Sequence, residues 1–181
     1  MTELRRPPAL GVLAAYTADH DTKTVEWLNS EDLRGTFGMR QAVSVGLHRN
    51  WVDAAVDTWI RAIQDREGVH VGNVLLKINE RHRSGYLQIY IGETRARGMG
   101  LGNQALIATL EAAFGEHVLH RVWLHTFADN LRAEMLYKKH GFVLEGVERD
   151  ALWFDGVCVS QRRWSLLEGE WRAICAKAGR L

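Results

Sequence analysis

The chain has 181 residues, which suits a single domain around one hydrophobic core, and its 46% hydrophobic and 25% charged residues are typical of a globular protein. Its 23 basic and 22 acidic residues leave a net charge of +1, which argues against nucleic acid as the main partner. The two cysteines, Cys158 and Cys175, predict neither a disulfide framework nor a metal site, and the chain has no signal-peptide core or membrane-spanning apolar run, so we expect a cytoplasmic protein with no membrane partner.

The first third of the chain predicts short elements followed by one longer helix. A strand is expected around Leu10–Tyr16, a short helix around Thr24–Leu28 and a loop through Arg34–Gly46. Asn50 is a plausible N-cap, with Asp53 in the first turn. The apolar residues that follow recur at helical spacing, so we predict a helix that carries the stripe Val52, Ala55, Val56, Trp59, Ile60 and Ile63.

The rest of the chain mixes strands and helices. In order, we predict strands Val69–Asn79 and Tyr86–Ile91, a helix over 103–115, a strand Arg121–Phe127, a helix over 131–140, strands Glu148–Phe154 and Val157–Leu167 around the turn Asp155-Gly156, and a helix Glu168–Lys177. Strict alternation of strand and helix is absent, which excludes a doubly wound dinucleotide-binding fold. The pattern predicts an α/β or α+β domain with a mixed sheet.

A glycine-rich turn, Arg97-Gly98-Met99-Gly100-Leu101-Gly102, separates the strand that ends at Ile91 from the helix that begins near Asn103. Glycines let an anion approach the backbone, neighbouring N–H groups point the same way, and the helix dipole adds positive potential. The turn therefore predicts a phosphate-binding site. Taken alone, a glycine triplet is equally compatible with a surface turn that lets the helix pack closely.

A second motif lies downstream of the glycine turn, Asn130-x-x-Ala133-x-x-x-Tyr137-x-Lys139-x-Gly141-Phe142. The two motifs together resemble the GNAT superfamily of acetyl-CoA-dependent N-acetyltransferases, and Leu144-Glu145-Gly146 and the C-terminal hairpin match its branch of ribosomal-protein N-terminal and spermidine acetyltransferases. The resemblance runs from about Val25 to Trp171 and is densest over 86–146. It implies a single α/β (α+β) domain with a mixed, mostly antiparallel sheet, a central V-shaped splay and helices on both faces.

The resemblance also implies a binding mode for acetyl-CoA as the cosubstrate, without a metal. The diphosphate would lie on the amides of the glycine turn, with Leu101 buried beneath it, and the pantetheine arm would run in the splay beside the strand. Asn130 would hydrogen-bond the pantetheine, although its place in the chain also suits a helix N-cap. The residues expected to contact acetyl-CoA are Ile89, Ile91, Arg97, Gly98, Met99, Gly100, Leu101, Gly102, Asn130 and Tyr137.

Three side chains are candidates for the chemistry. Tyr137 takes the family position of a proton donor to the departing thiolate, and its alternative role is core packing. For the base that deprotonates the amine, Glu93 and His125 are candidates, since imidazole suits proton transfer near neutral pH. A lone histidine in an apolar strand is also commonly structural, and Glu93 suits a solvated turn equally well.

The acceptor is expected to bind segment 25–51, the loop before Asn130 and the C-terminal hairpin, 147–167. Acidic and basic residues are mixed in 25–51, which argues mildly against a polyamine. Arginine with tryptophan suits a nucleotide-linked amino sugar, and a protein or peptide N-terminus stays open as the acceptor. The alternative function is a non-catalytic acetyl-CoA-binding sensor; a nucleotide-binding regulator would need a basic patch. We expect a monomer or homodimer.

Overall fold

The computed structural model describes residues 12–36, 41–154 and 156–179. Its strands are β1 (Leu13–Ala15), β2 (Thr58–Gln64), β3 (His70–Asn79), β4 (Ser84–Ile91), β5 (Arg121–Phe127), β6 (Val143–Phe154) and β7 (Val157–Leu167). Its α-helices are α1 (Asp21–Leu28), α2 (Glu31–Thr36), α3 (Val45–Ala54), α4 (Leu101–Glu111), α5 (Leu131–Lys139) and α6 (Glu168–Lys177). None of the helices in these ranges is long and apolar enough to span a membrane.

The strands form one seven-stranded sheet in the order β1-β2-β3-β4-β5-β7-β6. Every neighbouring pair is antiparallel except β4 and β5, which run parallel. The prediction of a mixed, mostly antiparallel sheet is therefore confirmed.

The parallel pair is short, and the sheet opens beside it. Ser84–Tyr86 of β4 pairs with Arg121–Trp123 of β5, and no pairing joins the two strands beyond that point. β4 nevertheless continues to Ile91 and β5 to Phe127. The two strands thus diverge after Tyr86, and they leave the predicted V-shaped splay in the middle of the sheet.

The two faces of the sheet bury different kinds of residues. One face packs against α4 and against side chains of α5 and α6, and its strand residues include Val74, Leu76, Leu87, Val122, Leu124, Trp164 and Leu166. Successive strand residues point to opposite faces, so Asn73, Leu75, Gln88 and Tyr90 point the other way, toward α1 and α3. Helices therefore cover both faces, as predicted.

The helix predicted from Asn50 through Ile63 is wrong. α3 begins earlier, at Val45, where the Ser44 hydroxyl caps the helix by accepting a hydrogen bond from the Leu47 N–H. It ends at Ala54, and Thr58–Gln64 is strand β2. Val56, in the middle of the supposed apolar stripe, is 94% exposed. Pairing of β2 with β3 and β1 outweighs the helical spacing of its apolar residues.

Smaller differences concern the ends of elements. The first strand covers only Leu13–Ala15, with Leu10 outside the described residues, and the predicted loop through Arg34–Gly46 contains the end of α2 and the start of α3. α4 begins at Leu101 and continues into a π-helical turn, Ala112–Glu116. β6 begins at Val143 rather than Glu148, and Asp155 of the hairpin turn lies outside the described residues.

Candidate active site

The glycine turn has the backbone conformation that its composition suggests. Gly98 and Gly100 have φ of +84° and +81°, a region that other residues seldom adopt, and Gly100 is the N-cap of α4. The N–H groups of Gly98, Met99, Gly100, Leu101 and Gly102 form no backbone hydrogen bond with another described residue. The Arg97 N–H, in contrast, donates to the Thr94 carbonyl at 3.1 Å. Five consecutive amides are therefore available to an anion. The sixth amide of the expected site, that of Arg97, already donates to Thr94.

The side chains of the turn point in different directions. Leu101 is buried, as its expected position beneath the turn requires, whereas Met99 is exposed. A Cβ at Gly102 would lie 3.9 Å from the Ile91 side chain, while a Cβ at Gly100 would meet nothing within 4 Å. The space beside Gly100 is thus open, and Gly102 faces the sheet.

The Arg97 side chain ties the turn to the strand and to the N-terminal helices. Its Nε donates to the Ile91 carbonyl at 3.1 Å, and its Nη1 donates to Asp32 Oδ2 of α2 at 2.8 Å. Of the Ile91 backbone groups expected to contact a pantetheine arm, the carbonyl therefore already accepts a hydrogen bond from Arg97. Ile89 lies in the part of β4 that is unpaired with β5, and its side chain packs on the core.

The first turn of α5 lies close to the glycine turn. Asn130 caps this helix, because its Oδ1 accepts a hydrogen bond from the Ala133 N–H at 3.0 Å. The Arg132 guanidinium lies 3.9 Å from the position that a Cβ on Gly98 would occupy. Arg132 is thus a cation at the edge of the amide row that sequence reasoning missed. Its place two residues after Asn130, at the start of a helix, was the available signal.

Tyr137 is held on the inner face of α5. Its side chain is 7% exposed and packs against Phe142 at a ring distance of 5.4 Å. Burial raises the pKa of its phenol above the ordinary value of 10, and the nearby Tyr86 phenol adds to the rise. Burial and the Tyr86 phenol alone cause this rise, and no hydrogen bond contributes to it. The hydroxyl therefore keeps its proton at neutral pH and can donate it.

The two candidate bases occupy different places. His125 is on β5 past the last residue that pairs with β4, its ring lies 5.7 Å from that of Tyr86, and its Nε2 lies 3.3 Å from Glu148 Oε1. Hydrogen bonds from the Gln161 amide and from His125 hold the pKa of Glu148 below its usual value. Glu93 is at the other end of β4, where its carboxylate lies 3.7 Å from Lys23 Nζ.

A pocket of about 450 Å³ lies between the N-terminal helices and the face of the sheet that carries Tyr90. Its apolar lining comprises Leu28, Val43, Leu47, Trp51, Val52, Ile60 and Leu75. Its polar lining comprises Tyr16, Thr24, His48, Asn73, Gln88 and Tyr90. The expected acceptor segment, 25–51, therefore contributes to it. The loop before Asn130 and the C-terminal hairpin do not line it, and strands β2, β3 and β4 do.

Five of the six polar side chains of the pocket, all except Gln88, form one hydrogen-bonded network. The Tyr16 hydroxyl lies 3.0 Å from Thr24 Oγ1 and 2.9 Å from His48 Nε2. Asn73 Nδ2 donates to Thr24 Oγ1 at 2.9 Å and to the Tyr90 hydroxyl at 2.7 Å. Burial lowers the pKa of His48 and raises that of Tyr90 to about 12, so both are uncharged at neutral pH.

Arg49, in the expected acceptor segment, is paired with carboxylates that lie just outside that segment. Asp21 accepts the Tyr16 hydroxyl at 3.0 Å and lies 3.2 Å from Arg49 Nη1. Arg49 also pairs with Asp53 at 3.1 Å. Arg49 does not line the pocket. The positive charge of Arg49 is therefore compensated beside the pocket, not inside it.

Comparison with known proteins gives a consistent result. The model of the acetyltransferase (GNAT) family matches residues 16–142. The spermidine N(1)-acetyltransferase of Vibrio cholerae serotype O1 is 29% identical over 110 residues, which cover 60% of this chain and 63% of that protein, less than two thirds of its length.

Solved structures share the fold. The spermidine N-acetyltransferase from Vibrio cholerae in complex with CoA and spermine superposes with a TM-score of 0.83 at 22% identity, over 88% of this chain and 96% of that one. A probable acetyltransferase superposes with a TM-score of 0.75 at 20% identity, over 88% of this chain and 93% of that one.

Proposed function

Because the chain belongs to the acetyltransferase (GNAT) family, we propose that it transfers the acetyl group of acetyl-CoA directly to a primary amine, in a small molecule or at a peptide N-terminus. One observation carries the proposal. Five amides of the glycine turn, which follows the splayed part of β4, form no backbone hydrogen bond, and the Tyr137 phenol lies close enough to Tyr86, where the splay begins, to interact with it. An anion site and a proton donor on either side of a slot suit a thioester with a phosphate-bearing tail.

The cosubstrate contacts are proposed from the turn outward. The N–H groups of Gly98 to Gly102 are aimed at the diphosphate, and Arg132 adds positive charge beside them. The backbone of Ile89 and Ile91 lines the slot for the pantetheine arm, where Arg97 must release the Ile91 carbonyl if that group is to pair with it. Asn130 caps α5, and its proposed second role is a hydrogen bond to the pantetheine.

Acetyl-CoA supplies an acyl group activated as a thioester. The amine nitrogen forms a bond to the acetyl carbon, and the carbon–sulfur bond breaks. Tyr137 donates its phenolic proton to the departing sulfur, and its buried, protonated hydroxyl suits that role. Its proton is restored from solvent or from the amine.

The amine must also lose a proton, and His125 is the better placed of the two candidate bases. Its imidazole lies beside Tyr86, where the splay begins, and Glu148 orients it. Glu93 stands at the glycine end of β4 with Lys23 as an ionic neighbour. We therefore assign the proton transfer to His125, with Glu93 as the second candidate.

The proposed transfer needs no acetyl-enzyme. Cys175 is buried in α6, and Cys158 is exposed on the hairpin strand β7. Neither belongs to the glycine turn, to the splayed part of β4 and β5 or to α5. Isolation of an acetylated cysteine during turnover would contradict direct transfer.

The test combines binding with turnover. Acetyl-CoA should raise the melting temperature at concentrations well above its dissociation constant. Thiol release should then depend on an added primary amine, assayed with amino-sugar nucleotides, polyamines and N-terminal peptides as acceptors. Binding of acetyl-CoA without thiol release for every acceptor would favour the sensor, and the absence of any melting shift would overturn the family-based proposal.

A further inference from the structure

We propose that the acceptor is a monoamine whose uncharged apolar body, aromatic or branched aliphatic, enters the pocket between α1, α3 and strands β2, β3 and β4. This inference deepens the proposed function and rests on it. It concerns only the part of the acceptor that surrounds the reacting amine. It distinguishes a site for an apolar monoamine from a site that binds a polycation.

The walls of the pocket are apolar. Trp51 and Leu47 of α3 stand at the rim, and Ile60 and Leu75 of neighbouring strands form the side nearest the sheet. Aromatic and branched side chains of this kind gain most by removing an apolar group from water. The pocket volume of about 450 Å³ lies within the range of small-molecule sites.

No carboxylate or ammonium group lines the pocket in the part of the chain that the structure describes. The closest buried acid, Asp21, is 2% exposed, lies behind the Tyr16 hydroxyl and is paired with Arg49. A second or third ammonium group placed in this pocket would lose its hydration without gaining a charged partner. A polyamine chain is therefore disfavoured there.

The polar end of the pocket is uncharged as well. His48 is neutral at physiological pH because burial lowers its pKa, and it is already hydrogen-bonded to Tyr16. Gln88 and Tyr90 complete this end. Such a surface suits one neutral hydrogen-bonding group on the apolar body, such as a phenol or an indole N–H.

The position of the pocket connects it to the reaction. Gln88 and Tyr90 belong to the part of β4 that has separated from β5, so the pocket borders the splay. A body seated in the pocket can therefore present an amine on a short linker to the slot. The pocket face and the α4 face are opposite faces of the sheet, which keeps acceptor and cosubstrate on separate sides.

The experiment compares kcat/KM for 2-phenylethylamine and tyramine with that for spermidine, by thiol release from acetyl-CoA. We expect the two arylalkylamines to exceed spermidine by at least about tenfold, because an unpaired buried charge costs well over a tenfold factor. Equal or faster turnover of spermidine overturns the inference and leaves the proposed function standing. If none of the acceptors, whether amines, nucleotide-linked amino sugars or peptides, causes thiol release, the proposed function is overturned, and the inference is overturned with it.

Two variants test the pocket itself. Trp51→Ala should raise KM for 2-phenylethylamine about tenfold without changing KM for acetyl-CoA, whereas Trp153→Ala, at another exposed tryptophan on β6, should change neither. Leu47→Glu places a carboxylate at the rim and should shift the preference toward spermidine, and Val56→Glu, outside the pocket, should not. Trp51→Ala kinetics equal to wild type for the aryl amine would overturn the assignment of the pocket.

Discussion

His140 Nε2 lies 2.8 Å from Asn103 Oδ1, so the end of the helix that carries Tyr137 is tied to the first turn of the helix that follows the glycine turn. His140 is buried, and the bond crosses between the two motifs that the sequence keeps apart by about thirty residues. The proposed proton donor and the proposed anion site are therefore held in one fixed relationship. A substitution at Tyr137 that leaves this bond intact should therefore change the rate of acetyl transfer and not the arrangement of the two helices.

Tyr137→Phe should lower kcat by about a hundredfold or more, the range that a positioned general acid contributes. Only the hydroxyl is removed, and the ring keeps its contact with Phe142. The dissociation constant for acetyl-CoA, measured by calorimetry, should stay within about twofold of wild type. Unchanged turnover with the preferred amine would show that Tyr137 only packs the core.

Gly100→Ala should weaken acetyl-CoA binding about tenfold, since φ of +81° costs a residue with a Cβ about 1–2 kcal/mol and relief of that strain moves the amides. Gly169→Ala is the matched control, because Gly169 lies in α6 and a Cβ there meets nothing within 4 Å. Calorimetric titration of both variants checks the effect. Equal affinity for the two would contradict the role of the turn.

Arg132→Gln should raise the dissociation constant of acetyl-CoA by at most about fivefold, because an exposed cation contributes roughly 1 kcal/mol or less. The difference from wild type should shrink in about 1 M salt, where the screening length is about 3 Å. Arg172→Gln, at an exposed arginine paired with Glu168 on α6, is the control. A deficit that persists at high salt would point to a structural role for Arg132 instead.

The protein should lose stability as the pH falls below about 6.5, in part through His48. Burial holds the pKa of this imidazole below the ordinary 6.5 that it regains on unfolding. Between those two values the unfolded chain binds more protons, so the free energy of unfolding rises with pH in that window and falls on acidification. Urea unfolding at several pH values gives the free energy of unfolding as a function of pH. The slope of this dependence should be shallower for His48→Gln than for wild type, and it should be unchanged for His82→Gln, at an exposed histidine. Equal slopes for all three proteins would exclude His48 as a contributor.

Local features could be predicted from the sequence, because each depends on residues that are neighbours in the chain. Gly100 reaches a positive φ and Asn130 caps its helix, as turn and cap chemistry predict. The helix predicted over Thr58–Gln64 was wrong because its structure depends on distant residues. Its apolar residues fit a helical stripe, and only the pairing of Ile60 with Leu75, fifteen residues away, makes it a strand.

The pocket lay beyond sequence reasoning. His48, Asn73 and Tyr90 belong to α3, β3 and β4, Tyr16 directly follows β1, and no spacing along the chain brings the four together. The charges of segment 25–51 do not show what lines the pocket, since Arg49 is paired with Asp21 and Asp53 and does not line it. Composition reports which charges exist, and folding decides which of them a ligand meets.

The divergence of β4 and β5 places unpaired strand backbone in the interior of the sheet. Exposed strand backbone normally invites edge-to-edge association between protein molecules, yet here sheet flanks it on both sides. At the outer margins of the described sheet, β1 has only three residues, and β6 is interrupted by two irregularities in its register. Short and bulged margins are poor templates for an added strand. We therefore expect the protein to resist edge-to-edge aggregation while it keeps an open hydrogen-bonding groove between β4 and β5.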